Sequence, residues 1–184
     1  MISKFKILFI LTTLIFVWSC GEKTKKISEI TEGDMEMQMS SAYKEGYFEL
    51  QNGDALTAAK KFNEAELLFP QSAWAAKSNL MAAYAYYSQD YLGDAVFELE
   101  RFLKTYPDHE DKVYAHFLLG MSFYELIVDE KKDLKSILDS KKQFQLIIKE
   151  YPSTEFAVDA IFKIDLINEI LAAKEMYLAK YYLK

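Results

Sequence analysis

The chain is 184 residues long, 51% hydrophobic, and carries 28 acidic against 22 basic side chains, a formal charge of −6. That charge disfavours a nucleic-acid partner, which needs a basic face, and the length is one ordinary domain's worth of chain. Three prolines and six glycines are too little punctuation for a many-turned β fold, so helices are expected.

Lys4 and Lys6 precede the mostly apolar run Ile7 to Val17. A basic start and an apolar stretch well short of the roughly 20 residues of a spanning helix read as an export signal over residues 1–19. Val17-Trp18-Ser19-Cys20 resembles the lipobox of bacterial lipoproteins, with Trp18 a bulky departure from the pattern. The resemblance implies that Cys20 is the lipidation site, diacylated, freed by cleavage and acylated again, palmitate included. Each buried CH₂ contributes about 0.8 kcal/mol, so three chains would hold the protein on a bilayer. Gly21 follows instead of Asp, which the lipoprotein sorting rule reads as delivery to the outer membrane of a Gram-negative cell, facing the periplasm. An ordinary secretory signal with an incidental cysteine, or a retained leader, are the other readings. No second cysteine exists for an internal disulfide. Cleavage would move the formal charge to about −8 by removing Lys4 and Lys6.

Residues 20–39 are polar with little periodicity and read as a flexible tether, so order is expected from about Ser40. From there Phe69-Pro70-Gln71-Ser72, Tyr106-Pro107-Asp108-His109 and Tyr151-Pro152-Ser153-Thr154 recur, with proline spacings of 37 and 45. In each, an aromatic ends a helix, a proline stops it and polar residues start the next. Between the stops lie Asn52-Gly53-Asp54-Ala55 and Tyr91-Leu92-Gly93-Asp94-Ala95, each offering a glycine to end one helix and an aspartate to cap another. The units are helical hairpins, over about 40–70, 73–107 and 111–152, with a partial fourth over 154–184.

Paired helices with a period near 34 residues resemble the tetratricopeptide repeat. That resemblance implies an all-α, right-handed superhelix, an α-solenoid of antiparallel helix pairs. Gly46, Ala58, Phe62 and Ala65 fill its small and aromatic positions in repeat one. Repeat two aligns through Ala83, Tyr86 and Ala95, with Leu99 and Phe102 replacing the usual residues. Repeat three aligns through Gly120 and Phe123, but Pro152 falls eight residues late, which places an inserted inter-helix loop near Asp129 to Asp133. Positions five, nine and twelve of each first helix share a face at helical spacing. They read Tyr43, Tyr47, Leu50; Leu80, Tyr84, Tyr87; Phe117, Met121, Tyr124. Tyr43, Tyr47, Tyr84, Tyr87, Phe117 and Tyr124 are the candidate groove for an extended peptide or partner helix. The other reading is that these rings pack between neighbouring repeats.

After Thr154 the apolar pattern Phe156, Ala160, Ile164, Ile167, Leu171 runs on through Tyr177 and Tyr181, one long helix or two nearly continuous ones. An apolar helix without its mate at the end of a solenoid suggests a piece of something longer. Arg101 is the only arginine beside 21 lysines, an imbalance that composition alone attributes to coding bias.

Further segments are similar to the BamD-type lipoproteins of the β-barrel assembly machinery. These are Ala83-Tyr84-Ala85-Tyr86-Tyr87, Glu100-Arg101-Phe102 before Tyr106-Pro107, Tyr114-Ala115 leading to Gly120 and Tyr124, Lys163-Ile164-Asp165-Leu166, Lys174-Glu175-Met176 and Tyr181-Tyr182-Leu183-Lys184. The resemblance implies a component of the outer-membrane assembly complex. Its partners would be the barrel-bearing subunit, other lipoproteins of the complex, unfolded β-barrel precursors, and the membrane through the lipid. It also implies that further repeats, holding much of the contact with the barrel-bearing subunit, follow the segment like Tyr181 to Lys184. A lipoprotein scaffold for envelope growth or secretion-pore assembly is the alternative.

No enzyme, cofactor or metal is expected. His109 follows a helix-stopping proline, and His116 occupies an intra-repeat packing position. Asp108, Glu110 and Asp111 beside His109 fit solvated caps or a loosely held cation. Phosphate-cradling glycine loops are absent.

Overall fold

The computed structural model describes residues 31–127 and 134–183, and among these are seven α-helices and no strand. They are α1 Glu32–Gln51, α2 Ala55–Leu68, α3 Ala73–Tyr87, α4 Leu92–Thr105, α5 Lys112–Glu125, α6 Leu134–Glu150 and α7 Glu155–Tyr182. Each packs chiefly on its neighbours in the chain, which makes α1–α2, α3–α4 and α5–α6 three antiparallel pairs stacked as a tetratricopeptide-type solenoid. The leader, Cys20, the loop near Asp129 to Asp133 and Lys184 lie outside the described residues.

The expected starts and stops operate locally. Asp54 caps α2: its Oδ1 accepts from the Thr57 backbone N–H at 3.0 Å and its Oδ2 from the Thr57 hydroxyl at 2.7 Å. Gly53, at φ +82°, supplies the left-handed residue before it. Past Pro70, Ser72 caps α3 through the Trp74 N–H at 3.1 Å; past Pro152, Thr154 caps α7 through the Ala157 N–H at 3.3 Å. The second glycine–aspartate pair behaves differently from expectation. The left-handed residue there is Asp90, at φ +60°, so α4 begins at Leu92. Gly93 and Asp94 then fall inside its first turn, and Asp94 makes no cap.

Two further expectations are corrected. Helix α1 starts at Glu32, inside the stretch read as tether to Met39, because Met39 is buried in a cluster with Ala42 and Ala65. Glu32 and Asp34 in its first turn also suit the positive end of the helix dipole. The extra residues of the third pair do not all go to a loop, since α6 has 17 residues where α2 and α4 have 14.

Small residues let the paired helices approach. A Cβ at Gly46 would lie 3.0 Å from Phe62 Cδ1 and 3.2 Å from the Ala58 carbonyl oxygen. Phe62 is itself fully buried with Ala58, Ala59, Ala82 and Ala85. In the second pair Ala83 and Leu99 share a cluster with Leu80, Phe102, Leu118 and Leu119. The offset from small residue to large partner is sixteen in both pairs. In the third pair it is 24, and Phe144 lies under Gly120, in a cluster with Ile137, Ile147, Ala160 and Ile167. Each such Phe or Leu removed from water contributes roughly 1.5–3 kcal/mol.

Arg101 has a structural role that the coding-bias reading overlooks. Its guanidinium takes Glu66 in a fork, Nη1 at 3.0 Å and Nη2 at 2.7 Å, and its Nε donates to Glu98 Oε2 at 2.8 Å. Tyr106 donates to Glu66 at 2.7 Å, and Asn63 and Asn79 donate to Glu98 at 3.0 and 2.9 Å. Glu66 and Glu98 are about 5% exposed, so α2, α3 and α4 meet around two buried, fully bonded carboxylates.

Candidate functional site

The nine groove positions divide by depth. At position five the rings are packing residues. Tyr43 meets Phe62 and Trp74 edge-on, each at 5.2 Å between centroids. Phe117 meets Phe144 at 5.8 Å and Phe156 at 5.3 Å. These are one arrangement used twice, an aromatic of the first helix set between a ring of its mate and a ring at the start of the next pair. Leu80 fills the same place in the second pair and is buried.

Position twelve joins consecutive first helices by polar contacts. The Tyr87 hydroxyl donates to Glu125 Oε1 at 2.6 Å, bridging α3 and α5. Burial and then the Glu125 carboxylate raise the Tyr87 phenol well above its ordinary value, so it stays protonated and keeps donating. Lys163 of α7 sits 4.7 Å over the Tyr124 ring of α5. Leu50 is half-buried beside Phe62.

Position nine is the open one. Tyr47 is 49% exposed and Tyr84 39%, while Met121 is half-buried in the third cluster. Neighbouring phenols are drawn inward: Tyr43 is raised above its ordinary pKa by burial and then by Tyr47, and burial, with a smaller effect of Tyr84, pushes Tyr114 up to about 12. The structure therefore keeps Tyr47 and Tyr84 on the surface and uses Tyr43 and Phe117 as mortar between pairs.

Trp74, which the position count passes over, is a further exposed ring. It is 44% exposed at the start of α3, with Lys77 Nζ 4.9 Å over its ring. With Met39, Ser40, Tyr43, Lys44 and Glu36 it lines a mainly apolar cavity of about 370 Å³. The available signal was a bulky aromatic two residues after a serine cap, on an otherwise small, alanine-rich turn. Its lining carries both signs, Glu36 and Lys44, with Lys77 over the tryptophan, and its apolar part suits an aromatic side chain.

The histidines are held by neighbours. His109 Nδ1 accepts from the Asp111 N–H at 3.2 Å, and its ring lies edge-on to Phe102 at 5.5 Å. His116 bonds Gln143 Oε1 at 2.9 Å, and burial lowers its pKa. Asp108, His109, Glu110 and Lys112 rim a cavity of about 260 Å³ with Tyr151. Among the described residues no helix is long and apolar enough to cross a membrane.

Stacked antiparallel helix pairs of this kind define an all-α solenoid of the tetratricopeptide class. A family profile described as YfiO, outer membrane lipoprotein, matches residues 35–184, and the chain belongs to that family. It is 33% identical over 168 residues to the outer membrane protein assembly factor BamD of Caulobacter vibrioides, covering 91% of this chain and 54% of that protein. The BamD of Rickettsia prowazekii is 33% identical over 164 residues, 89% of this chain and 64% of that protein. For the BamD of Neisseria gonorrhoeae the figures are 28% over 169 residues, 86% and 62%. The chain thus spans between 54% and 64% of the length of these relatives. Membership places it with proteins associated with the outer membrane.

Proposed function

We propose that this chain is the lipid-anchored repeat portion of an outer-membrane assembly factor, a binding protein that holds extended, aromatic-rich segments of β-barrel precursors. Acylated Cys20 fixes it at the periplasmic face of the outer membrane, raising its effective concentration where barrels are inserted. Partner subunits and lipoproteins of the same machinery bind the remaining solenoid surface. The observation that carries the reading is that Tyr47 and Tyr84 stay exposed at position nine, while Tyr43 and Phe117 at position five are spent on packing and Trp74, with Lys77 over its ring, lines an apolar cavity with Lys44. Phenol and indole rings bring large apolar area with a polar edge, which suits a surface that is wet when empty.

With the leader removed, Trp74 is the one tryptophan left, so its emission reports on the cavity directly. A synthetic strand peptide ending in phenylalanine with a free carboxylate should shift that emission saturably. Tyr47→Ala with Tyr84→Ala should weaken binding about tenfold while leaving the helical circular dichroism intact. Undiminished affinity in the double variant removes the groove from the account. Affinity purification of the acylated protein in mild detergent tests the setting: a large barrel protein with periplasmic domains is expected, and cell-wall or secretion components instead would favour the scaffold alternative.

A further inference from the structure

The polar network around Arg101 has two parts of different standing. One is internal to a helix pair: Asn79 on α3 donates to Glu98 on α4 at 2.9 Å. It recurs, since the residues at the corresponding positions of the third pair, His116 and Gln143, are bonded at 2.9 Å. The other part crosses between pairs: Arg101 on α4 donates to Glu66 and Asn63 on α2, with Tyr106 donating to Glu66 and Asn63 donating to Glu98 beside it. At the corresponding positions of the next junction stand Leu103 and Leu146. A solenoid junction of this type does not require an ion pair there, yet the first one is built around the only arginine in the chain.

Stability is a poor reason for it. Taking two carboxylates out of water offsets much of their attraction to a single guanidinium, and apolar replacement of such networks is often neutral or stabilising. What a guanidinium adds is direction, because its fork accepts a carboxylate in one plane and at one angle, which a pair of leucines does not enforce. Direction matters at this junction. Apart from the ring contact of Tyr43 with Trp74, α1 and α3 make little approach to each other and are related through α2. Whatever orients α2 on the second pair therefore orients Tyr47 relative to Tyr84.

We propose that Arg101 is a positioning residue for the groove: by clamping Glu66 across the junction it fixes the first helix pair on the second and sets the separation of Tyr47 and Tyr84. The proposal rests on the peptide-groove reading given above. The test rebuilds the junction on the pattern of the next one, with Glu66→Leu, Glu98→Gln and Arg101→Leu in the full chain. Nitroxides at Ser41 and Glu100, in a Cys20→Ser background, report the inter-pair distance without peptide. The triple variant should unfold cooperatively, show a broadened distance distribution, and bind the phenylalanine-terminated peptide about tenfold more weakly. Arg101→Lys, which keeps the charge and loses the fork, should lie between, and it carries the test by the same two readouts should the triple variant not fold. An unchanged distribution in a folded variant, or a broadened one with undiminished affinity, overturns the assignment. Failure of the unsubstituted chain to bind peptide overturns the groove reading instead, and the distances, measured without peptide, tell the two failures apart.

Discussion

Gly120 lies against the Phe144 ring so closely that a Cβ there would stand 2.9 Å from Cε1 and 3.0 Å from Cζ. Alanine in a helix interior normally gains about 1 kcal/mol over glycine, but overpacking a filled core costs about 1–3 kcal/mol. The Phe144 ring is fully buried between α5, α6 and α7 and has nowhere to retreat. Crowding should therefore win, with Gly120→Ala lowering stability by about 1 kcal/mol in urea titrations. Shrinking the ring makes room, so Gly120→Ala combined with Phe144→Leu should cost less than the sum of the two single changes. Strict additivity would mean that the close approach is not what the glycine is for.

His116 should give the fold a specific acid sensitivity. Its pKa is lowered by burial, which outweighs the raising effect of the Gln143 bond, and Lys112 adds a smaller lowering effect. A base whose folded pKa is depressed binds fewer protons folded than unfolded, so stability rises with pH across the interval between the two values. Its contribution is complete above the unfolded value near 6.5 and is lost as pH falls through the folded one. His116→Asn, which copies Asn79 at the same place in the second pair, should flatten the fall in the urea midpoint below neutral pH. Parallel profiles for the two proteins would show that the imidazole is not the titrating group.

The division of the groove rings by depth also separates their variants. Phe117→Ala removes a ring held between Phe144 and Phe156 and should cost about 2 kcal/mol, less than the 3–5 kcal/mol of a wholly buried phenylalanine. Tyr47→Ala takes away an exposed ring and should stay within about 0.5 kcal/mol in stability while weakening peptide binding. Thermal unfolding and Trp74 fluorescence, run on both variants, distinguish the classes. A Phe117→Ala protein as stable as the parent would return that ring to the binding surface.

What could be read from sequence was whatever repeats at a constant offset. Gly46 with Phe62 and Ala83 with Leu99 keep a sixteen-residue spacing, so those pairs, the proline stops and the helical hairpins follow from counting. Phe144 was invisible to the same count because the insertion moves it to 24 residues from Gly120. Periodicity names the face a ring shares but not its depth, and so could not separate Tyr43 and Phe117 from Tyr47 and Tyr84. Arg101 is hardest of all from composition, since its role depends on Glu66, thirty-five positions away on another helix pair. One arginine among many lysines looks like bias until its neighbours are known.

The two Gly-Asp pairs show how near-identical local sequence divides on a single backbone angle. In the first, Gly53 takes the left-handed conformation and Asp54 is delivered to the N-cap of α2, bonded to Thr57 through both oxygens. Those bonds hold its carboxyl below the usual carboxylate range. In the second, Asp90 takes the left-handed conformation before Gly93 is reached, and Asp94 is left within the first turn with only the dipole to serve. Asp54→Ala should consequently lower the urea midpoint clearly at neutral pH, and Asp94→Ala much less. The Asp54 contribution is present above the unfolded carboxylate value and disappears as pH falls through the depressed folded one, so the gap between parent and Asp54→Ala should close in acid. Equal effects of the two substitutions, or a gap that persists in acid, would mean that dipole and charge rather than cap geometry decide where these helices begin.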